Sequence, residues 1–442
     1  MFFFVLMYKL YMILTRLSRK IPTAVASDCR SAERVFFDFA PKFFGFEHIK
    51  ELRLTIGKTN IIMMARETVS KEHSKRRNRM SDERMKVFDC HVHYSMEPRL
   101  EESVASFRRL FEETGVERVA FMSLPHAASE HFDVVLQNLK GLYLKHVFSP
   151  NAYCFAGLMH DVSMDDDAMA RDFLRQVEGY AAGGFDGLKL LEGKPNLRKL
   201  YGKRLSDKVY EGVFAFMEEA GLPVTLHNAD PAIFWDITKM SPHAIARGWY
   251  NDETADTKDE MLEDVMTVMR RHPRLKLTMA HFGFLADNIE QAKAFLDGFE
   301  NTRVDLTPGG EQFFYMLEDR EAWIPFLESH ADKIKYGSDS YNYPTADDAA
   351  WRKAALYRPT LLRNFFETAD EHIYDKKPYR GIDFDRALLR KIYTENAERE
   401  YGAPRDINVA WVKEKIESLR PLCQNDERLS AELAVLEKYF ER

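Results

Sequence analysis

From residue 85 onward, eight short apolar runs alternate with amphipathic stretches of helical period, and this alternation narrows the available folds more than any other feature. The runs are KVFDCHVH (86–93), VERVAFMSL (116–124), AYCFAGLM (152–159), FDGLKLL (185–191), LPVTLHN (222–228), LKLTMAHF (275–282), TRVDLT (302–307) and KIKYGSD (333–339). Between them lie helical patterns such as SVASFRRLFEETG (103–115), AMARDFLRQVEGYAAGG (168–184), VYEGVFAFMEEAG (209–221) and DEMLEDVMTVMRRH (259–272). Several end in glycine or in a basic last turn, which are helix stop signals. Strand–helix alternation predicts a parallel sheet, and eight repeats fit a closed (β/α)8 TIM barrel better than a doubly wound open sheet. No GxGxxG follows an early strand, which removes the main reason to expect a dinucleotide.

Charge divides the chain where the alternation begins. Residues 1–84 hold 17 Lys/Arg against 9 Asp/Glu, and the remaining 358 hold 46 against 61. The expected organisation is a basic N-terminal extension (1–84), a barrel (85–404) and charged C-terminal helices packed on its outside (405–442). The apolar opening MFFFVLMYKLYMILT is broken by Lys9 and is shorter than the roughly 20 residues a membrane span needs. Its positive charges follow the apolar stretch rather than precede it, unlike a secretory signal. KEHSKRRNR (71–79) reads as a solvated linker before it reads as a nucleic-acid patch. MKVFDCHVHY begins at Met85, a natural start for a compact domain, so some or all of residues 1–84 are expected to be missing from the native product. Cys29, Cys90, Cys154 and Cys423 are widely spaced with no CxxC pair, which excludes a disulfide scaffold or zinc ribbon and fits the cytoplasm. Neither nucleic acid nor stable membrane insertion is expected.

His91 and His93 stand two apart at the end of the first run, so in a strand both imidazoles point to one face. Such a pair alone is weak evidence. It gains weight because His227 ends the fifth run, His281 closes the sixth and Asp339 ends the eighth, all at the end of the barrel where enzymes of this fold build their sites. Imidazoles with a carboxylate suit one divalent ion, zinc by default, with manganese, iron or cobalt as alternatives. Lone histidines are more often ordinary core or surface residues; the matched positions of the set argue otherwise.

With FDCHVHY, GLKL, GLPVTLHNAD, HPRLKLTMAHFG, IKYGSDSYNYP and LLRKIYTENAEREYG in this order, the chain resembles the amidohydrolase-related family of the metal-dependent hydrolase superfamily of TIM barrels. That family includes aminocarboxymuconate-semialdehyde-decarboxylase-like members, and the resemblance runs from about Met85 to Tyr401. It implies that His91, His93 and His227 bind metal, that Asp339 binds metal and handles the proton of the bound water, and that His281 stands beside that water. A bound divalent cation lowers the pKa of its water towards about 7, giving a hydroxide nucleophile at neutral pH. Two-metal relatives carry a carboxylated lysine where Lys189 stands; one metal is the favoured expectation, with Lys189 on the substrate side or paired with Glu192 or Asp339. Relatives are often homodimers.

Three long connections follow strands: 192–208, 229–258 and 340–384. Lys194, Arg198, Lys199, Lys203 and Arg204 in the first would favour an anionic substrate, though an exposed charged loop is the plainer reading. Arg247 and Trp249, with Trp235 and His243, would form a wall in the second, and Tyr341, Asn342 and Tyr343 would line the pocket from the third. Tyr94 follows His93 and joins the expected pocket, whereas His126 and His160 read as ordinary pocket or core residues. The favoured function is metal-dependent hydrolysis of a small, anionic amide, ester or lactone by metal-bound hydroxide. The alternatives are non-oxidative decarboxylation of an aromatic or enol acid, and a catalytically silent barrel acting as a binding module.

Overall fold

The computed structural model describes residues 51–56, 59–64, 84–94, 100–124, 131–308, 311–344, 346–374 and 376–440. Within the basic extension, Glu51–Ile56 pairs antiparallel with Thr59–Met64. The apolar opening, the 71–79 run, Cys29 and His126 lie outside the described residues.

Residues Met85–Arg442 form a separate compact unit. Its eight parallel strands are β1 (Val87–His93), β2 (Val116–Met122), β3 (Ala152–Gly157), β4 (Gly187–Gly193), β5 (Val224–Asn228), β6 (Leu277–Met279), β7 (Thr302–Asp305) and β8 (Ile334–Lys335). They pair in sequence order from β1 to β8. Backbone bonds then bring the ends of the sheet together: Cys90 N–H donates to Tyr336 O (2.9 Å), Asp339 N–H to His91 O (2.8 Å) and His93 N–H to Ser340 O (2.8 Å). The result is a nearly closed (β/α)8 barrel.

The connecting helices include α1 (Leu100–Thr114), α2 (His131–Val147), α3 (Asp166–Gly183), α4 (Lys208–Glu219), α5 (Lys258–Arg271), α6 (Ile289–Gly298) and α7 (Arg320–Ser329). Their ends follow local chemistry. Asp165 caps α3 through Ala168 N, and Gly184 closes it in the left-handed region (φ 94°). Thr257 and Glu260 form a capping box on α5, with Arg270 and Arg271 in its last turn. The long third connection is itself structured, carrying α8 (Tyr357–Glu367) and a two-stranded hairpin, Glu371–Tyr374 with Lys377–Arg380. After α9 (Asn396–Tyr401), the tail folds as α10 (Val409–Cys423) and α11 (Glu427–Phe440). Trp411 of α10 lies edge-on to Phe185, and Tyr439 of α11 packs 4.5 Å from Tyr143 of α2. No helix among the described residues is long and apolar enough to cross a membrane.

The barrel interior is divided by height. At its base Phe88, Cys90, Ala120, Met122, Tyr153 and Phe155 pack around Ala397 and Tyr401 of α9. Val92, Val119, Phe121, Cys154 and Ala156, at alternating positions, join the outer core under the helices. Strict alternation from Phe88 and Cys90 would turn Val92 inward and send His91 and His93 outward. A register irregularity between Asp89 and Val92 instead turns two consecutive residues, Cys90 and His91, towards the interior. The apolar plug below and the imidazoles above thereby share one strand.

Candidate metal centre

His91 and His93 project from β1, His227 from β5, and Lys189 from β4. The other expected groups lie just beyond strand ends. β6 stops at Met279, and His281, Phe282 and Phe284 take left-handed conformations (φ 56°, 55° and 53°). Asp339 is likewise left-handed (φ 54°), four residues past β8. Non-glycine residues rarely adopt this region, and where they do the surrounding contacts hold them. Here Asp305, the last residue of β7, accepts from His281 N (2.9 Å) and Thr307 N (3.1 Å), fixing the turn.

His91, His93 and Asp339 each offer a ligand atom within 4.8 Å of the others. Their outer partners decide which atoms face inward. His91 Nδ1 lies 2.8 Å from Asp305 Oδ2, so that nitrogen carries the proton and donates. His93 Nδ1 lies 2.9 Å from the Met122 carbonyl and must donate as well. Both Nε2 atoms therefore present lone pairs, and they face each other across 3.0 Å. Asp339 Oδ1 adds further electron density 3.3 Å from His93 Nε2. Converging lone pairs repel one another; Lys189 Nζ meets the one on His91 (3.1 Å), and the point shared by all three donors fits a divalent ion, with outer contacts that fit the usual support of metal-binding imidazoles. Burial, with His91 and Lys189 adding to it, holds His93 well below the ordinary histidine range, keeping it an unprotonated donor.

His227 stands outside this trio. Its Nε2 accepts from Lys194 Nζ (3.2 Å), and its ring lies 4.6 Å from that of His281. Burial holds both rings well below the ordinary histidine range, aided by Lys194 for His227 and by His227 for His281. His281 Nδ1 is buried and has no hydrogen-bond partner among the described residues.

Lys189 is fully buried and donates to His91 Nε2 (3.1 Å), rather than pairing with Glu192 or Asp339. Burial pushes its ammonium down to about 8. Glu192 instead lies 3.3 Å from His160, buried against Tyr201.

Several expected pocket residues point elsewhere. Tyr94 falls on the opposite face from His93, and its hydroxyl binds Ser123 and the Gln137 carbonyl beneath the helices. Asn342 is buried and donates to Ser103 Oγ (2.7 Å), tying its loop to α1. Arg247 and Trp249 are exposed, with Trp249 stacked on Phe234. Trp235 donates to the Asp256 carbonyl, and the side chain of His243 lies outside what is described. Tyr341 does reach the site, its ring 5.3 Å from His93 and 6.3 Å from Tyr343.

The basic loop after β4 is largely neutralised by neighbours. Arg198 pairs with Asp256 and Asp264, Lys199 with Asp252, Lys203 with Asp166 and Arg204 with Asp256. Lys194, paired with Asp230, is the member that touches a site histidine. Two residues not singled out from sequence hold key positions: Asp305, which orients His91, and Arg358 of α8, whose Nη1 donates to both the carboxylate and the carbonyl of Asp339. An acidic strand-end residue in TRVDLT was a readable signal for the first. Arg358 lies far along a long connection, and no spacing rule marks it.

The amidohydrolase family model matches residues 88–403. Among solved structures, a 2,6-dihydroxybenzoate decarboxylase from Rhizobium is 15% identical, over 72% of this chain and 99% of its own, with a TM-score of 0.40. An uncharacterised TIM-barrel protein from Bordetella bronchiseptica is 14% identical over 74% and 100%, with a TM-score of 0.45. A 4-oxalomesaconate hydratase from Rhodopseudomonas palustris is 13% identical over 76% and 99%, with a TM-score of 0.43. No protein of curated function matches the sequence.

Proposed function

Because the chain belongs to the amidohydrolase family, we propose that it is a metal-dependent hydrolase acting on a small anionic amide, ester or lactone. The observation that carries this reading is the set of lone pairs from His91, His93 and Asp339 turned onto one point. His227 completes the proposed ligand set. A divalent cation held there, zinc first among the candidates and manganese, iron or cobalt after it, supplies Lewis-acid polarisation of water and carbonyl oxygen. Asp339, with Oδ1 towards His93, takes the proton of the attacking water and returns it to the leaving group. His281, whose Nδ1 is unpartnered, binds the oxygen on which negative charge develops. Lys189, Lys194 and Arg358 supply the positive surroundings that favour an anionic substrate.

Those same cations favour a second reading, non-oxidative decarboxylation of an aromatic or enol acid, in which His281 and Asp339 protonate the carbon that loses CO2. Turnover of lactones or amides supports the first reading, and CO2 release from hydroxybenzoate-type acids supports the second. Under either, His91→Ala and Asp339→Asn remove most activity from folded protein. Full turnover in either folded variant would overturn the assignment of these residues to the reaction centre.

A further inference from the structure

Arg358 is poorly explained as a mere partner for Asp339. Its Nη1 serves both the carboxylate and the carbonyl of that residue, while Nε and Nη2 make no hydrogen bond among the described residues. The side chain keeps 31% of its surface exposed, so the unused edge is reachable from solvent. The other cations beside the site are committed: Lys189 is buried on His91, and Lys194 is held by Asp230 and His227. Arg358 also sits on a rigid support. It occupies the first turn of α8, whose Leu361, Leu362, Phe365 and Phe366 are buried. The phenol groups of Tyr341, Tyr343 and Tyr374 are near enough to act on its charge, and the Tyr341 ring lies 5.3 Å from that of His93 and 6.3 Å from that of Tyr343.

A guanidinium edge made of two parallel N–H groups matches a carboxylate in the same plane, and aromatic side chains beside it accept a flat molecule. We propose that Arg358 is the residue that selects for a carboxylate-bearing planar substrate, holding the acid through Nε and Nη2 while Nη1 stays on Asp339. This rests on the reading of the histidine–aspartate cluster as the reaction centre, and it narrows the anionic substrate to a planar carboxylic acid.

The test compares two probes of one ring, 2,4-dihydroxybenzoate and neutral resorcinol, binding to the full-length, metal-loaded protein by calorimetry. The native protein is expected to prefer the acid. Arg358→Gln should lower the acid-to-neutral affinity ratio by roughly ten- to a hundredfold, the range of a charge-assisted pair. Arg358→Lys should retain part of the preference, since it keeps the charge without the fork. Merely structural loss would weaken both probes together and leave the ratio unchanged. An unchanged ratio in Arg358→Gln overturns the assignment, as does a native protein without preference for the acid. If Arg358→Gln does not fold, the same ratio in Arg358→Lys decides, and an undiminished ratio overturns it. Metal content and turnover measured on the same samples separate this outcome from failure of the reaction-centre reading: native protein without metal or turnover refutes that reading, whereas an Arg358-independent ratio refutes only the inference.

Discussion

Asp305→Asn offers the sharpest perturbation of the centre without touching a proposed ligand. The native carboxylate is fully buried, accepts from His91 Nδ1 at 2.8 Å and also accepts the backbone N–H groups of His281 and Thr307. Burial alone would push its carboxyl up, but the interaction with His91 overrides this and holds it well below the usual carboxylate range. Asparagine is nearly isosteric and keeps one oxygen for the two backbone donors. Its amide, however, presents N–H to His91 Nδ1, which must then become the acceptor. The ring proton moves to Nε2, and the lone pair aimed at His93 and Asp339 is lost. Outer-shell changes of this kind weaken metal affinity or activity by about 10–100-fold, equivalent to about 1.4–2.7 kcal/mol. Competition against a calibrated chelator measures the affinity, and near-ultraviolet circular dichroism reports whether packing is intact. A folded Asp305→Asn protein with native affinity would refute the claim that Asp305 sets the His91 tautomer.

Three further outcomes follow from the same contacts. Tyr94→Phe removes a hydroxyl bonded to Ser123 and Gln137; it should lower unfolding stability by about 1 kcal/mol and leave metal affinity unchanged, and altered affinity would contradict its placement under the helices. Burial raises the Glu192 carboxyl from 4.5 to about 8, so the folded state favours its neutral form, and the associated stability is present below pH 4.5 and lost as pH rises through about 8. Glu192→Gln should therefore flatten the decline between pH 5 and 8 by up to about 1.4 kcal/mol per pH unit, and parallel denaturation curves for both proteins across that range would contradict it. Gly141→Ala should destabilise the fold by roughly 1–3 kcal/mol, because a methyl there runs into Tyr94 Oη and meets Cys154 Sγ at 2.6 Å; unchanged thermal melting would contradict that crowding.

The fold was readable because each barrel strand is a short apolar run bounded by a turn or helix signal, as in AYCFAGLM and LPVTLHN. The His91–His93 pair was readable from two-residue periodicity. The same rule, carried one residue further, should have placed Tyr94 on the other face; adjacency to His93 was a poor guide to orientation. The bulge that turns both Cys90 and His91 inward depends on pairing with β2, which sequence periodicity does not encode. The charged loop after β4 left two readings open, an exposed loop and a substrate-facing one, for a related reason. Its cations lie close together in sequence, but the carboxylates that neutralise them come from Asp166, Asp252, Asp256 and Asp264 on other segments. Arg358 reaches Asp339 because α8 folds back over the barrel mouth, a tertiary event with no local signature.

Metal content per chain tests the central claim most directly. Elemental analysis of protein purified without chelator, and again after dialysis against zinc or manganese, should give about one equivalent in the native chain and much less in Asp339→Asn. No bound metal in the native protein under either condition would contradict the account, and the converging lone pairs of His91, His93 and Asp339 would then need another explanation.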